Sequence, residues 1–541
     1  MTTTTAPPVV EVAMDEVEAI LEEARRLGLP PEHCEKLRAI VESYRYVLSE
    51  IEGKKATIKN LRDLVFGAKT ETKENVVGRS PDGGAEEEPA VEPSEPGERQ
   101  PKRKGHGRKA AREYTGAERV KVRHPELKPG ARCPCCGHPV YGKAPLVIVR
   151  IHACAPFRAT VYEKDRLRCG TCGEVFVAPS PPGVGEEKFD ATVPAMLGTL
   201  RYGNGFPMYR IESLQKSAGV PLPVGTQWKI LSEAAERLAP VHEELVRQVA
   251  QGVLFINDDT PMKILSFLAK LEQRRERGEE PERTGCQTSG IVAELGDGHR
   301  AVLYCTGEKH AGENLAEVLA KRGRGLDTPM QMCDALDRNV PEPLQTIVGN
   351  CLAHARRGFV RVNDSFPAEV RYVIDELALV YENEERAKAG GMSPEERIRL
   401  HREESGPVMK RLKEWMDAQI EEKKTEPNSR LGAAIAYCRK RWDRLTLFLR
   451  QAGAPLDSNE VERMLKRCII HRKNSLFYKT ENGADVGDLF MSLIATAKHT
   501  GEDPFDYLTQ LLRHSAEIAA SPGDWMPWAY RETLRRAPPS V

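Results

Sequence analysis

The chain is 541 residues long, with 40% apolar and 30% charged side chains and 80 basic groups against 80 acidic ones. That length exceeds one core and implies roughly three or four domains. The even charge gives no global reason to expect a polyanionic partner, so a case for nucleic acid rests on local clusters.

No apolar run approaches the roughly eighteen residues that a bilayer span needs. The threonine-rich start, Met1 to Pro8, lacks the order of a signal peptide. The expected location is therefore the cytoplasm, where thirteen cysteines read as metal ligands or buried thiols.

Apolar residues recur at helical spacing from Val12 to Leu27 and from Glu32 to Phe66. In the second stretch Leu37, Tyr44, Ile51, Ile58 and Val65 fall seven apart, with Val41 and Leu48 between them. This predicts a coiled coil within residues 10–67 and a homodimer or higher homo-oligomer. Gly53 and Lys55 interrupt the seam, and a helical hairpin folded on itself uses the same pattern. Residues 68–112 are rich in Pro, Gly, Glu and Ser and read as a flexible linker. Its far end is basic: Lys102, Arg103, Lys104, Arg108 and Lys109 suit phosphate contacts that need no fixed geometry.

Two Cys-x-x-Cys knuckles follow, Cys133 with Cys136 and Cys169 with Cys172, around a β-rich span at Leu146 to Ile151 and Ala159 to Arg166. Two knuckles complete one tetrahedral Zn²⁺ site with bonds of about 2.3 Å, so residues 113–180 read as a zinc ribbon. With four protein ligands no position stays open for substrate, and this zinc is structural. Residues 185–251 read as helical, with breaks at Gly203 to Pro207 and Gly219 to Gly225. Their proportions resemble a helix-turn-helix that would present Thr226, Gln227 and Lys229 to a DNA groove and keep Trp228 in a core; a plain helical connector is the alternative.

The apolar run Val253 to Ile256 predicts a short buried strand that stops at Asp258, Asp259 and Pro261. Thr288 to Glu294 and Arg300 to Tyr304 read as two further strands, His310 to Arg322 as a helix, and Met330 to Cys333 as a strand ending at Asp334. If the first and fourth strands lie side by side, as in a ribonuclease H-like sheet, Asp258 and Asp334 meet at one edge. Cys351 and His354, in a segment read as a loop, amount to half a metal site and read as core. Pro367 to Leu447 reads as charged helices inserted between that sheet and a helix bearing Glu462, capped by Asp457 or Ser458. The expected parts are a first core segment 252–364, an insertion 365–450, a second core segment 451–515 and a tail 516–541.

Three carboxylates suit phosphoryl transfer because Mg²⁺ and Mn²⁺ prefer hard oxygen ligands. Two such ions about 3.5–4 Å apart stabilise the attacking and leaving oxygens of an in-line displacement. Arg356, Arg357, Arg463, Lys466, Arg467, Arg472 and Lys473 cluster around these positions as candidate phosphate contacts.

The chain resembles transposases of the insertion sequence 66 family, in the DDE superfamily. The resemblance runs through Leu61-Arg62-Asp63-Leu64-Val65-Phe66-Gly67, His106-Gly107-Arg108, the cysteine knuckles and Gly205-Phe206-Pro207-Met208-Tyr209-Arg210. It continues through Asp258-Asp259-Thr260-Pro261, Cys351 to Arg357, Asn459-Glu460-Val461-Glu462-Arg463, Gly483, Ala495-Thr496-Ala497-Lys498 and Pro504-Phe505-Asp506-Tyr507-Leu508.

The resemblance implies a multidomain α+β protein with a ribonuclease H-like catalytic domain. It implies Asp258, Asp334 and Glu462 as a triad holding two Mg²⁺ or Mn²⁺, and double-stranded DNA, both transposon ends and target, as partner. Asp259 stands where Glu is usual, Ser458 where a second Asn is usual, and Ala335-Leu336 where Gly-Tyr is common. Asp337 is thus the nearest rival to Asp334, and a register slip would exchange Asp259 for Asp258. Two other readings remain: a zinc-containing DNA binder without chemistry, and a structure-specific nuclease of the same fold. Accessory transposition proteins are left open.

Overall fold

The computed structural model describes residues 187–281, 283–343 and 345–536, with shorter stretches at 20, 22–23, 26–27, 30, 33–38, 129–132, 138–139, 141, 156–163, 165–168 and 175–182. The coiled-coil seam other than Leu37, the basic tract Lys102 to Lys109, and Cys133, Cys136, Cys169 and Cys172 lie outside the described residues. Among the described residues no helix is long and apolar enough to cross a membrane.

The chain divides into two compact units, Pro81–Pro182 with Arg210–Pro223, and the remainder. In the smaller unit, strands β1 (Arg166–Arg168) and β2 (Val175–Val177) pair antiparallel, Arg166 opposite Val177. The expected strand over Ala159 to Arg166 therefore starts only at Arg166, and 159–163 has no regular structure. Helix Met208–Ser217 also falls mostly in this unit, and Gln215 there donates from Nε2 to the Phe157 carbonyl at 3.2 Å. The boundary between the units cuts the expected helix-turn-helix.

The larger unit is built on a mixed sheet of β3 (Leu254–Met262), β4 (Cys286–Glu294), β5 (Arg300–Gly307), β6 (Met330–Cys333) and β7 (Ile347–Asn350), in the order β5-β4-β3-β6-β7. The first three form an antiparallel meander, while β6 runs parallel to both β3 and β7. Five helices matter for the site: α1 (Val224–Val249), α2 (Ala311–Leu319), α3 (Leu352–Val360), α4 (Asn459–Ser475) and α5 (Glu481–His499).

Strand β3 does not stop at Ile256. It pairs with β4 through Met262, so Asp258 and Asp259 lie inside a strand. The parallel partner β6 pairs only as far as Ile256 with Met332, which leaves one side of β3 open beyond that point. A proline, with no N–H to give, is tolerated where a strand has a free side, and Pro261 sits there. The loop expected at Cys351 to Arg357 is helix α3, with Cys351 at its N-cap.

Helix α5 closes the outer edge of the sheet. Asp488 accepts hydrogen bonds from the Thr306 N–H at 2.5 Å and from Thr306 Oγ1 at 2.7 Å, Ser492 Oγ accepts from the Tyr304 N–H at 3.0 Å, and Thr496 Oγ1 accepts from the Val302 N–H at 3.0 Å. Four helical residues rise about 6 Å and two strand residues about 6.7 Å, so the polar groups stay in step with the strand. The ladder satisfies an edge that would otherwise invite another strand.

Helix α1 runs for 26 residues and buries Ile230, Leu231, Ala234, Leu238, Val241, Leu245 and Val249 along one stripe. That stripe belongs to a supporting helix of the larger unit. Gln227 is fully buried and donates from Nε2 to the Met208 carbonyl at 3.0 Å, so the expectation that it faces a groove is corrected: it is needed inside, where an unpaired amide would be costly. Thr226 and Trp228 are half-buried, and Lys229 is exposed beside Glu233 at 3.7 Å.

The insertion is helical as expected and packs a core of Val373, Ile374, Leu377, Met409, Leu412, Met416, Ile435 and Phe448. Leu352, Ala355 and Leu456 join this core, which ties the insertion to the segments carrying α3 and the start of α4.

Candidate active site

Successive residues of a strand face opposite sides of the sheet, and this separates Asp258 from Asp259. The Asp259 side chain is only 2% exposed; its Oδ2 lies 2.8 Å from His310 Nδ1 and its Oδ1 3.5 Å from Arg338. Asp258, on the other side, shares Asn339 with Asp334. Burial pushes its carboxyl up to about 7, and the charges of Asp334, Asp259 and Glu462 add to this against the Asp259 N–H, which donates at 2.8 Å.

Asp334 reaches the same place because β6 is paired in register with β3, Ile256 opposite Met332, and each acid lies two residues beyond that pair. Asn339 joins them. Its Nδ2 donates to Asp334 Oδ1 at 2.5 Å and lies 3.4 Å from Asp258 Oδ1. A buried polar network fixes Asn339 in turn: its carbonyl accepts from Asn257 Nδ2 at 2.8 Å and Gln331 Nε2 at 2.7 Å, and Thr346 Oγ1 donates to Gln331 Oε1 at 2.7 Å. Asp337 opens a short 3-10 helix and is exposed. Asn339 thus ties Asp334, and not Asp337, to Asp258.

Glu462 stands in the first turn of α4, where Asp457 Oδ1 accepts from the Asn459 N–H at 3.1 Å. The helix comes close to the sheet at Gly290, where a Cβ would lie 3.1 Å from Leu465 Cδ2 and 3.2 Å from Val461 Cγ2. Gly290 is the residue opposite Asp258 across the β3–β4 ladder. The Glu462 carboxylate receives both Nη groups of Arg357, at 2.9 and 3.0 Å, and lies 3.7 Å from His354 Nδ1. Burial pushes His354 below its ordinary value, Arg357 adds to that, and Glu462 and Asp334 oppose it.

The basic residues do not act alike. Arg356, Arg357, Arg463 and Lys466 line a groove of about 980 Å³ beside Glu462, with Glu382, Glu385 and Arg386 of the insertion on its rim. Arg357 is committed to Glu462. Arg472, read as a phosphate contact, donates to the Pro261 carbonyl and to Thr260 Oγ1 at 3.3 Å, which fastens α4 to β3. Arg467 is half-buried and its charge acts on Lys498 and His499, while Lys473 is exposed. Sequence reasoning did not single out Asn339, Arg338 or His310, and it set His354 aside as core. The only signals were an Asn five residues beyond Asp334 and a His three residues before Arg357.

Asp258 and Asp334 offer hard oxygen, the donor type that divalent cations of the Mg²⁺ or Mn²⁺ kind prefer, while the Glu462 carboxylate is held by Arg357 beside His354. Burial raises Asp258 most and the charge of Asp334 adds to it, a combination that a bound cation would relieve.

A family profile described as "Transposase IS66 family" matches residues 188–486. Three curated relatives are uncharacterized proteins of Sinorhizobium fredii. The protein y4hP is 25% identical over 444 residues, covering 75% of this chain and 74% of that one. The protein y4jD is 26% identical over 404 residues, covering 71% and 75%, and y4qI is 24% identical over 356 residues, covering 62% of each. The family match spans more than half of the chain and contains the sheet, Asp258, Asp334 and Glu462, so the chain belongs to the IS66 family of transposases.

Proposed function

We propose that this protein is a DNA transposase that binds transposon ends and performs metal-dependent strand cleavage and strand transfer in a ribonuclease H-like domain, with Asp258, Asp334 and Glu462 as its catalytic acids. The observation that carries this reading is the meeting of Asp258 and Asp334 on adjacent parallel strands, with the Glu462 charge felt by Asp258.

The three carboxylates would hold two Mg²⁺ or Mn²⁺ ions, which when bound supply charge stabilisation to the attacking and leaving oxygens. The chain's own residues do the positioning. Asn339 sets the spacing of the two aspartates, and Gly290 lets α4 carry Glu462 to them. Arg357 compensates the Glu462 charge while no cation does, and once released it is a fork suited to phosphate. Arg356, Arg463 and Lys466 line the groove into which a DNA backbone would enter. The remaining parts are proposed in the roles their sequences suggest: Lys102 to Lys109 as a phosphate-contacting tract, the four knuckle cysteines as a structural Zn²⁺ site, and residues 10–67 as the self-association segment.

The test is nicking of an oligonucleotide that carries a transposon end, followed by an assay for joining to a second duplex. Wild-type protein nicks and joins with Mg²⁺ or Mn²⁺, and Asp258→Asn does neither. Nicking without joining indicates a nuclease. Tight end binding by wild-type protein with no nicking in either metal overturns the enzymatic reading and leaves a DNA binder.

A further inference from the structure

We infer that Cys351, His354 and Glu462 form a capture site for a single thiophilic divalent ion of the Zn²⁺ class, separate from the hard-oxygen cluster and competing with it for Glu462. Among the described residues, these three are a set whose ligand atoms all lie within 4.8 Å of one another. A tetrahedral Zn²⁺ with bonds of about 2.0 Å to nitrogen and oxygen and 2.3 Å to sulfur sets its ligands ~3.3–3.8 Å apart. His354 Nδ1 and Glu462 Oε1 are already at 3.7 Å.

The donors are also underused. His354 Nδ1 is buried and has no hydrogen-bond partner. Cys351 Sγ is buried and accepts a 3.3 Å hydrogen bond from the Ser458 N–H. Cys351 is the N-cap of α3 and His354 stands in its first turn, three residues on, and the Cys351 sulfur touches the Ser458 N–H at the start of α4.

The chemistry separates the two sites. Mg²⁺ takes oxygen and does not favour a thiolate, whereas Zn²⁺ and its soft neighbours bind sulfur and imidazole strongly. On capture the thiol proton passes to solvent as the sulfur–metal bond forms; Nδ1 must be unprotonated to bind the ion, so the His354 proton sits on Nε2 and the 3.4 Å contact from Arg357 Nη1 to Nε2 opens. Arg357 must give up one Glu462 oxygen, because its two Nη groups now hold both. A Glu462 so held is drawn toward α3 and away from Asp258 and Asp334. The ion would therefore inhibit where Mg²⁺ supports turnover. That inhibition rests on the catalytic role proposed for Glu462; ion capture itself does not.

Full-length protein freed of metal is first given one equivalent of Zn²⁺, which the four-thiolate knuckle site takes ahead of the three-ligand one, and Co²⁺ is then titrated in without Mg²⁺ or DNA. One equivalent is expected to give a sulfur-to-cobalt charge-transfer band. The band should vanish in Cys351→Ser, persist in Cys133→Ser, and need roughly ten- to a hundredfold more Co²⁺ in His354→Ala, the scale of a disturbed metal site. Circular dichroism identifies variants that keep the wild-type fold.

No band in wild type, or an unchanged band in a folded Cys351→Ser, overturns the site. In the nicking assay, Zn²⁺ added over Mg²⁺ should inhibit wild type, and each variant is compared with its own Mg²⁺-only rate. Cys351→Ser should require at least tenfold more Zn²⁺ for the same fractional loss, and equal sensitivity overturns the competition. If wild type never nicks yet gives the cobalt band, the transposase reading fails and the ion site stands.

Discussion

Asp258 stands directly across the β3–β4 ladder from Gly290, and at Gly290 helix α4 comes so near the sheet that a Cβ would crowd Val461 and Leu465. A single missing side chain thus sets the distance between the strand that carries one acid and the helix that carries another. Val461 and Leu465 fill the space a Cβ would need, and Glu462 is the next residue after Val461.

Gly290→Val should push α4 outward. Overpacking of this kind costs about 1–3 kcal/mol, so thermal unfolding should move down by several degrees while the fold is kept. Nicking should fall by far more than the lost folded fraction explains, because Glu462 moves with the helix. Nicking that simply tracks stability would show that the close approach has no part in aligning the acids.

Asn339→Ala should loosen the aspartate pair. The amide that donates to Asp334 and reaches toward Asp258 is lost, and repulsion between the two carboxylates is then relieved only by a cation. The expected result is a rise of tenfold or more in the Mg²⁺ concentration for half-maximal nicking, with the maximal rate less affected. A fall in maximal rate at unchanged metal dependence would contradict this positioning role.

Asp258 makes the metal-free protein sensitive to pH. Its folded value, pushed up to about 7, lies above the unfolded carboxylate, so the folded state holds a proton that the unfolded chain has already released. Stability should therefore fall as pH rises from about 4 to 7 and change little beyond. Buried Asp488, also pushed up to about 7, adds to the same slope. Asp258→Asn should remove its share and raise stability at pH 8 by on the order of 2 kcal/mol, measured by denaturant titration with chelator present. An unchanged midpoint would show that Asp258 carries no such strain.

The insertion has the opposite dependence. Burial alone would raise Glu384, but hydrogen bonds from His401 Nε2 at 3.0 Å and Arg397 Nε at 2.7 Å overcome it and hold the carboxyl at about 2. Its contribution is present above the unfolded value and is lost as pH falls from about 4 toward 2. Glu384→Ala leaves Arg397 and buried His401 without their carboxylate and should cost about 3 kcal/mol at pH 7. Proteolysis confined to the helices around 367–449 would mark that loss as local.

Much of this protein is written in local pattern. The strands at Thr288 to Glu294 and Met330 to Cys333 and the insertion over Pro367 to Leu447 follow from apolar spacing and charge, and each is found close to where that spacing puts it. Local pattern misled wherever a distant partner decided the outcome. Strand β3 runs past Pro261 because β4 pairs with it throughout, and Gln227 turns inward because the Met208 carbonyl needs a donor. Arg357 and Arg472 looked like free cations, yet one grips Glu462 and the other grips β3.

Residue types and strand periodicity thus determined which acids were candidates and which elements carry them. Tertiary structure alone set neighbours apart: Asp258 and Asp259 face opposite sides of the sheet, as alternate strand residues do, and Asn339 ties Asp334 to Asp258 while Asp337 is exposed. It also decided what Glu462 touches, since a contact across 105 residues depends on how helices close around a sheet, which no short window of sequence encodes.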